Sequence, residues 1–185
     1  MLKKRKIFSL LLALSLAVLT KTAKRRFNVV IKNTTCQIFS PVMKQFDCAF
    51  KMLSPSNYLI DTSFMYAREL NENAEWQGLI YFSHLKGSKP IKFLDIKMNI
   101  CSALSTAMTV PIVKMIMEET RKTSNLPYEC PLKANFLYSY SNFSMNAKIL
   151  PAYAPLIKFN FSLNTFDNRV LISKYVVEGS TVQIP

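Results

Sequence analysis

Cys36, Cys48, Cys101, Cys130 and His84 are the side chains of this 185-residue chain best suited to chemistry. Cysteines can poise a redox dithiol, hold zinc with histidine, or staple a fold. No CxxC or CxxxC spacing occurs, and with one histidine a zinc site would need all four cysteines. Cys101 and Cys130 lie 29 positions apart with a helical pattern between them, which is too long for a CxxC-type pair. An even count fits two structural disulfides. Four cysteines allow three connectivities, and spacing alone does not choose among them. Local pairs, Cys36–Cys48 across a hairpin at Ser40-Pro41 and Cys101–Cys130, are the expectation. Each would contribute about 3 kcal/mol on the chain-entropy account.

Catalysis has little to work with. His84, in "YFSHLKG", reads as a solvated histidine at a strand end. A Ser-His-Asp triad would have to use it, and no GxSxG elbow accompanies it. The 11 acidic residues contain no DxD pair, and three glycines leave no Gly-rich phosphate loop. The chain is therefore read as a non-enzyme with no metal and no cofactor.

The compartment is read from the N-terminus. Lys3 to Lys6 form a basic stretch, and Ile7 to Leu19 is an apolar run of 13 residues. That is short of the roughly 20 needed to span a bilayer, and it fits a secretory signal over residues 1–20, with cleavage up to about residue 23 as the expectation and an uncleaved anchor as the alternative. Without residues 1–20 the charge falls from +13 to +9. Removing Lys21, Lys24, Arg25 and Arg26 as well leaves about +5, scattered along the rest. Nucleic acid is thus not an expected partner. Sequons at Asn33, Asn142 and Asn160 agree with a secreted, extracellular glycoprotein.

The elements that must carry these residues are mostly strands. Runs at 27–39, 44–53, 57–70, 74–85 and 90–100 are separated by "SPSN", "NENAE" and "KGSKP". Tyr58, Ile60, Phe64 and Tyr66 share a face that Thr62 interrupts. Trp76, Ile80 and Phe82 share another, and Ile91 alternates with Phe93. One helix is predicted near 110–122, with Thr109 as N-cap and Pro111 in its first turn. Val110, Val113 and Met117, and Ile112 with Ile116, recur there at helical spacing. Strands follow at 133–141, 143–150, 156–165 and 170–178. In the third, Phe159 and Phe161 alternate with Asn160, which puts the sequon outward. Eight or nine short strands predict a mainly β fold. The expected form is an Ig-like or ML-like antiparallel sandwich over 27–178 with one inserted helix and a tail at 179–185. An α+β sheet on the helix is the competing architecture.

"NVVIKNTTC", "FDCAFKML", "NICSAL", "TVPIVKMIMEETRKTSNLPYECPL" and "ILPAYAPLIKFNF" together resemble an insect family of small secreted proteins that includes the CheB-type chemosensory proteins. The likeness runs from about 27 to 178. Asn99 stands where that family has Asp, Thr-Val-Pro replaces Asn-Pro, and the late turn lacks its glycine. The family is similar to ML-type lipid-recognition domains. The resemblance therefore implies a sandwich whose sheets part around an apolar ligand, in a chemosensory setting.

Two functions follow as expectations. The first is a secreted binder of a hydrophobic small molecule or lipid, with Phe64, Tyr66, Trp76, Phe82, Phe93, Phe159 and Phe161 as ligand-binding candidates. The alternative is a disulfide-stabilised interaction module, an accessory factor for a membrane receptor or channel. A cavity of at least roughly 300 Å³ would favour the first, and a solid core the second.

Overall fold

The computed structural model describes residues 25–184, apart from Lys86, Ser88, residues 106–109, Pro151, Tyr153 and the side chain of Ile149. The expected leader and Thr109 lie outside these residues. Eight strands form two antiparallel sheets: β1 (Phe27–Ile38), β2 (Met43–Ser54), β3 (Asn57–Tyr66), β4 (Ala74–His84), β5 (Ile91–Asn99), β6 (Tyr138–Asn146), β7 (Ile157–Asp167) and β8 (Val170–Gln183). One sheet has the order β1-β8-β7-β4-β5 and the other β2-β3-β6. Two helices, α1 (Ile100–Ser105) and α2 (Pro111–Thr123), lie between β5 and β6.

The sheets face each other through the alternating apolar faces read from the sequence. One buried cluster gathers Met43, Phe64, Tyr66, Trp76, Leu104 and Leu132. A second gathers Val29, Tyr58, Ile60, Phe143 and Val177. Such facing layers are the way two half-apolar sheets remove their inner surfaces from water.

Four expectations change. β1 does not form a hairpin with β2. It pairs along its length with β8, while β2 pairs with β3 in the other sheet. The chain turns at Ser40-Pro41 from one layer to the other, because both strands have an inner face to bury. The Cys36–Cys48 disulfide (Cα–Cα 5.9 Å) therefore joins the two sheets rather than two hairpin strands. The strands expected at 133–141 and 143–150 are a single strand, β6, with Asn142 at φ 61° where its register with β3 shifts. Residues 179–183 are no tail. They complete β8, where Gly179, Ser180 and Thr181 are buried against β1 and β7. α1 was not foreseen. Asn99 caps it by accepting from the Ser102 N–H (3.0 Å) while its amide donates to the Glu72 carbonyl (2.5 Å). An Asp there would keep the first bond and lose the donor of the second.

α2 begins at Pro111 with Val110, not Thr109, in the cap position. No α2 residue is fully buried, and the helix packs chiefly on β6. It is fastened from its flanks. Cys101 of α1 bonds to Cys130 (Cα–Cα 5.2 Å), and Arg121 donates to the Leu104 carbonyl. Beyond the helix, Ser124 bridges Tyr140, and the Asn125 side chain spans the Leu137 carbonyl (2.9 Å) and the Ser139 N–H (2.8 Å).

Gly179 allows β8 to pass beneath Phe159. A Cβ at this position would overlap the Phe159 ring and lie 2.6 Å from the Val30 carbonyl oxygen. Gly179→Ala is expected to destabilise the fold by about 1–3 kcal/mol through overpacking. Urea unfolding of the two proteins checks this, and an unchanged midpoint would contradict the close approach.

Candidate functional site

Between the two buried clusters the sheets leave a cavity of about 150 Å³. β3 supplies Ile60, Thr62, Phe64 and Tyr66, and β4 supplies Trp76, Ile80 and Phe82. β7 adds Phe159, Phe161, Leu163 and Thr165, and β8 adds Ser173 and Tyr175. Each set follows the period of two that turns alternate side chains to one face. β6 contributes Tyr140 and Phe143. The remaining side is closed by α2, whose Ile112, Ile116 and Thr120 lie one turn apart along one helix face.

Six of the seven residues singled out as ligand-binding candidates line this cavity: Phe64, Tyr66, Trp76, Phe82, Phe159 and Phe161. Phe93 does not. It stacks on Phe82 (ring centroids 4.7 Å) but is 60% exposed, because β5 is the edge of the wider sheet and no strand of the narrower one covers it. Thr62, taken in the sequence as a break in the apolar face, continues that face and points inward. The i,i+2 spacing with Ile60 and Phe64 was the signal for it. Tyr175 and the three α2 residues were missed as cavity residues. Nothing local marks them, since their place depends on which strands and helices end up opposite one another.

The wall is apolar, with hydroxyls. Burial pushes the Tyr140 and Tyr175 phenols above their ordinary value of 10.0. For Tyr175 the neighbouring Tyr140 adds to this, and Thr62 opposes it. Tyr66 is raised likewise by burial, against a bond to Thr165. These groups therefore remain protonated donors at neutral pH. No Lys, Arg, Asp or Glu lines the cavity among the described residues. A shallow groove of about 210 Å³ between α2 and β6 shares Ile116, Phe143 and Asn146 with the cavity, so the α2–β6 seam separates the cavity from the surface.

Elsewhere, His84 ends β4 and is exposed. Glu69, Glu72 and Glu75 follow one another at intervals of three, but Glu75 instead pairs with Lys97 (2.5 Å). Among the described residues, no three His, Cys, Asp or Glu side chains come together as a metal site would require. Asn33 and Asn142 are exposed, and the half-buried Asn160 donates to Glu178 (3.1 Å). No helix among the described residues is long and apolar enough to cross a membrane.

One end of the sandwich has a distinct surface. The pairs Phe27↔Gln183, Asn57↔Asn146 and His84↔Ile157 place the described residues of five segments there: 25–29, 51–58, 82–92, 146–158 and 181–184. All 11 acidic residues of the chain lie outside these segments. Within them are Arg25, Arg26, Lys51, Lys89, Lys92, Lys148 and Lys158, and the exposed apolar residues Met52, Leu53, Leu85, Ile91, Leu156 and Ile184. Lys92 is paired with Asp95 (2.8 Å). The opposite end also exposes Ile38, Phe39 and Val170, but there Arg68 and Arg169 alternate with Glu69, Glu72 and Asp167.

Residues 78–161 match the model of a family described as a protein of unknown function (DUF1091). The matched span runs from the middle of β4 to the middle of β7 and contains both helices and the Cys101–Cys130 bond. No curated protein matches the chain.

A group whose folded pKa is raised adds stability that is whole below the unfolded pKa and fades as pH rises through the folded value. For Tyr140 and Tyr175 the loss begins near pH 10 and continues above it. The urea midpoint is expected to be level from pH 7 to 9 and to fall above 10, with Tyr140→Phe falling less steeply. Parallel profiles for parent and variant would show that this phenol does not resist ionisation.

Proposed function

We propose that the chain is a secreted, non-enzymatic binder of a small hydrophobic molecule, working in a chemosensory setting as the resemblance to CheB-type proteins implies. The observation that carries this is the aromatic-lined cavity between the sheets, closed on one side by a lightly packed helix. Two disulfides, typical of extracellular proteins, support the location. The cavity of about 150 Å³ falls short of the roughly 300 Å³ expected of a drug-sized site. It is nearer the size that holds a benzene-sized guest, about 150 Å³ in an engineered case. The fitting ligand is therefore a small volatile-sized molecule or a short piece of an acyl chain. Anything larger requires α2 to move away from β6.

Trp76 is the sole tryptophan and lies in the wall, so its emission reports on occupancy. Titration with six- to eight-carbon apolar probes is expected to shift Trp76 emission saturably. Ile116→Phe, which fills space from the helix side, should weaken that response at least about tenfold while leaving the fold intact, since one buried CH₂ is worth about 0.8 kcal/mol and a ring adds several carbons. A parent protein that gives no saturable response removes the carrier reading.

The cationic, apolar end supports a second reading, in which the same protein docks on an anionic membrane surface. Each Lys or Arg near such a surface contributes about 1 kcal/mol, and exposed Leu, Ile and Met add apolar contact. Sedimentation with phosphatidylserine-containing vesicles should exceed that with phosphatidylcholine alone and fall at high salt. Lys148→Glu with Lys158→Glu should abolish the difference. Equal sedimentation with both vesicles would leave this end to a protein partner, the accessory-factor alternative.

A further inference from the structure

Among the described residues, three buried hydroxyls in the cavity wall lack a well-formed hydrogen bond: Thr62 Oγ1 of β3, and Ser173 Oγ and the Tyr175 phenol of β8. Thr62 is 5% exposed and Ser173 1%. They approach the cavity from opposite sheets, so they converge on its interior rather than on one wall. Thr62 lies beside the Tyr175 phenol and bonds it only weakly, short of full hydrogen-bond geometry, so both keep capacity for a further partner. Buried polar groups in folded proteins are almost always paired, and an orphan costs the full desolvation of that group. One orphan, Ser173, and two under-satisfied hydroxyls around one apolar cavity mark the position of a polar atom that the protein does not itself supply.

From this geometry we infer that the ligand is a neutral amphiphile, a short aliphatic alcohol, aldehyde, ketone or ester, bound with its oxygen innermost between Thr62, Ser173 and Tyr175. The inference rests on the carrier reading above and deepens it. A hydroxyl or carbonyl oxygen accepts from any of the three donors, and a hydroxyl donates to Thr62 or Ser173 in return. A carboxylate or ammonium would be buried without a counter-charge, because no ionic side chain lines the cavity among the described residues. The phenols, kept protonated by burial, cannot supply one. A pure hydrocarbon would fill the space and leave all three hydroxyls without a further partner. The tail then lies along Phe159, Phe161 and Phe82 toward the cationic end.

The test uses three probes of matched length, 1-hexanol, heptane and hexanoate, titrated at pH 7 with Trp76 emission as the readout. 1-Hexanol is expected to bind about tenfold more tightly than heptane, and hexanoate more weakly than 1-hexanol. The double variant Thr62→Val with Ser173→Ala should bring 1-hexanol and heptane to within about threefold of each other, chiefly by weakening the alcohol. Thermal unfolding of the variant verifies that it folds, and Tyr175→Phe is the second variant if it does not. Equal binding of alcohol and hydrocarbon by the parent overturns the inference, as does a preference that survives the substitutions, which would mean that the alcohol's oxygen is held elsewhere. Failure of all three probes overturns the carrier reading and this inference with it.

Discussion

The two sheets of this sandwich are unequal, and the rest of the structure depends on that inequality. Five strands face three. β1 and β2 are joined at one edge by Cys36–Cys48, so the mismatch accumulates at the other edge, beyond β6. There the inner face of β4 has no strand opposite it. Exposed apolar surface of that extent is unfavourable at roughly 25 cal/mol per Å². The chain covers it with α2, in the place a fourth strand of the narrower sheet would occupy. A helix does not interdigitate with a sheet as a second sheet does, and the cavity is what remains.

The same arrangement explains the second disulfide. α2 packs chiefly on β6 and buries no residue fully. An isolated helix of 13 residues is marginal in water. Closing the span from Cys101 to Cys130 limits the alternatives open to it, and the bond is placed at the closed end, beside the cluster of Leu104, Leu132 and Trp76. The helix is thus held by its flanks and only lightly by its own contacts. In the proposed carrier role, that combination would let α2 cover the cavity without sealing it permanently.

In the proposed carrier role, the polar atoms of the cavity are what would give it selectivity. An all-hydrocarbon wall would admit any apolar molecule of the right size. Thr62, Ser173 and Tyr175 stand where valine or phenylalanine would pack with less penalty, and their burial is a local conflict between stability and the rest of the core. Conflicts of this kind in an otherwise consistent core are where function is usually found.

The sequence by itself determined the class of fold, the strand-rich order with one helix near 110–122, and the even cysteine pattern. These rest on local periodicity and on composition, which do not require knowing what lies opposite. It also placed Phe64, Tyr66, Trp76, Phe82, Phe159 and Phe161 on inner faces, because alternation along a strand fixes a face. Only the tertiary structure decided that β1 leaves β2 for the other sheet, that 133–150 holds one strand, and that β8 runs to Gln183. It also decided that Phe93 stands at an uncovered edge while Thr62 faces inward. Each of these depends on partners distant in the chain. Alternation says which residues share a face, but whether that face is covered is set by the width of the opposing layer, a property that no local stretch of sequence contains.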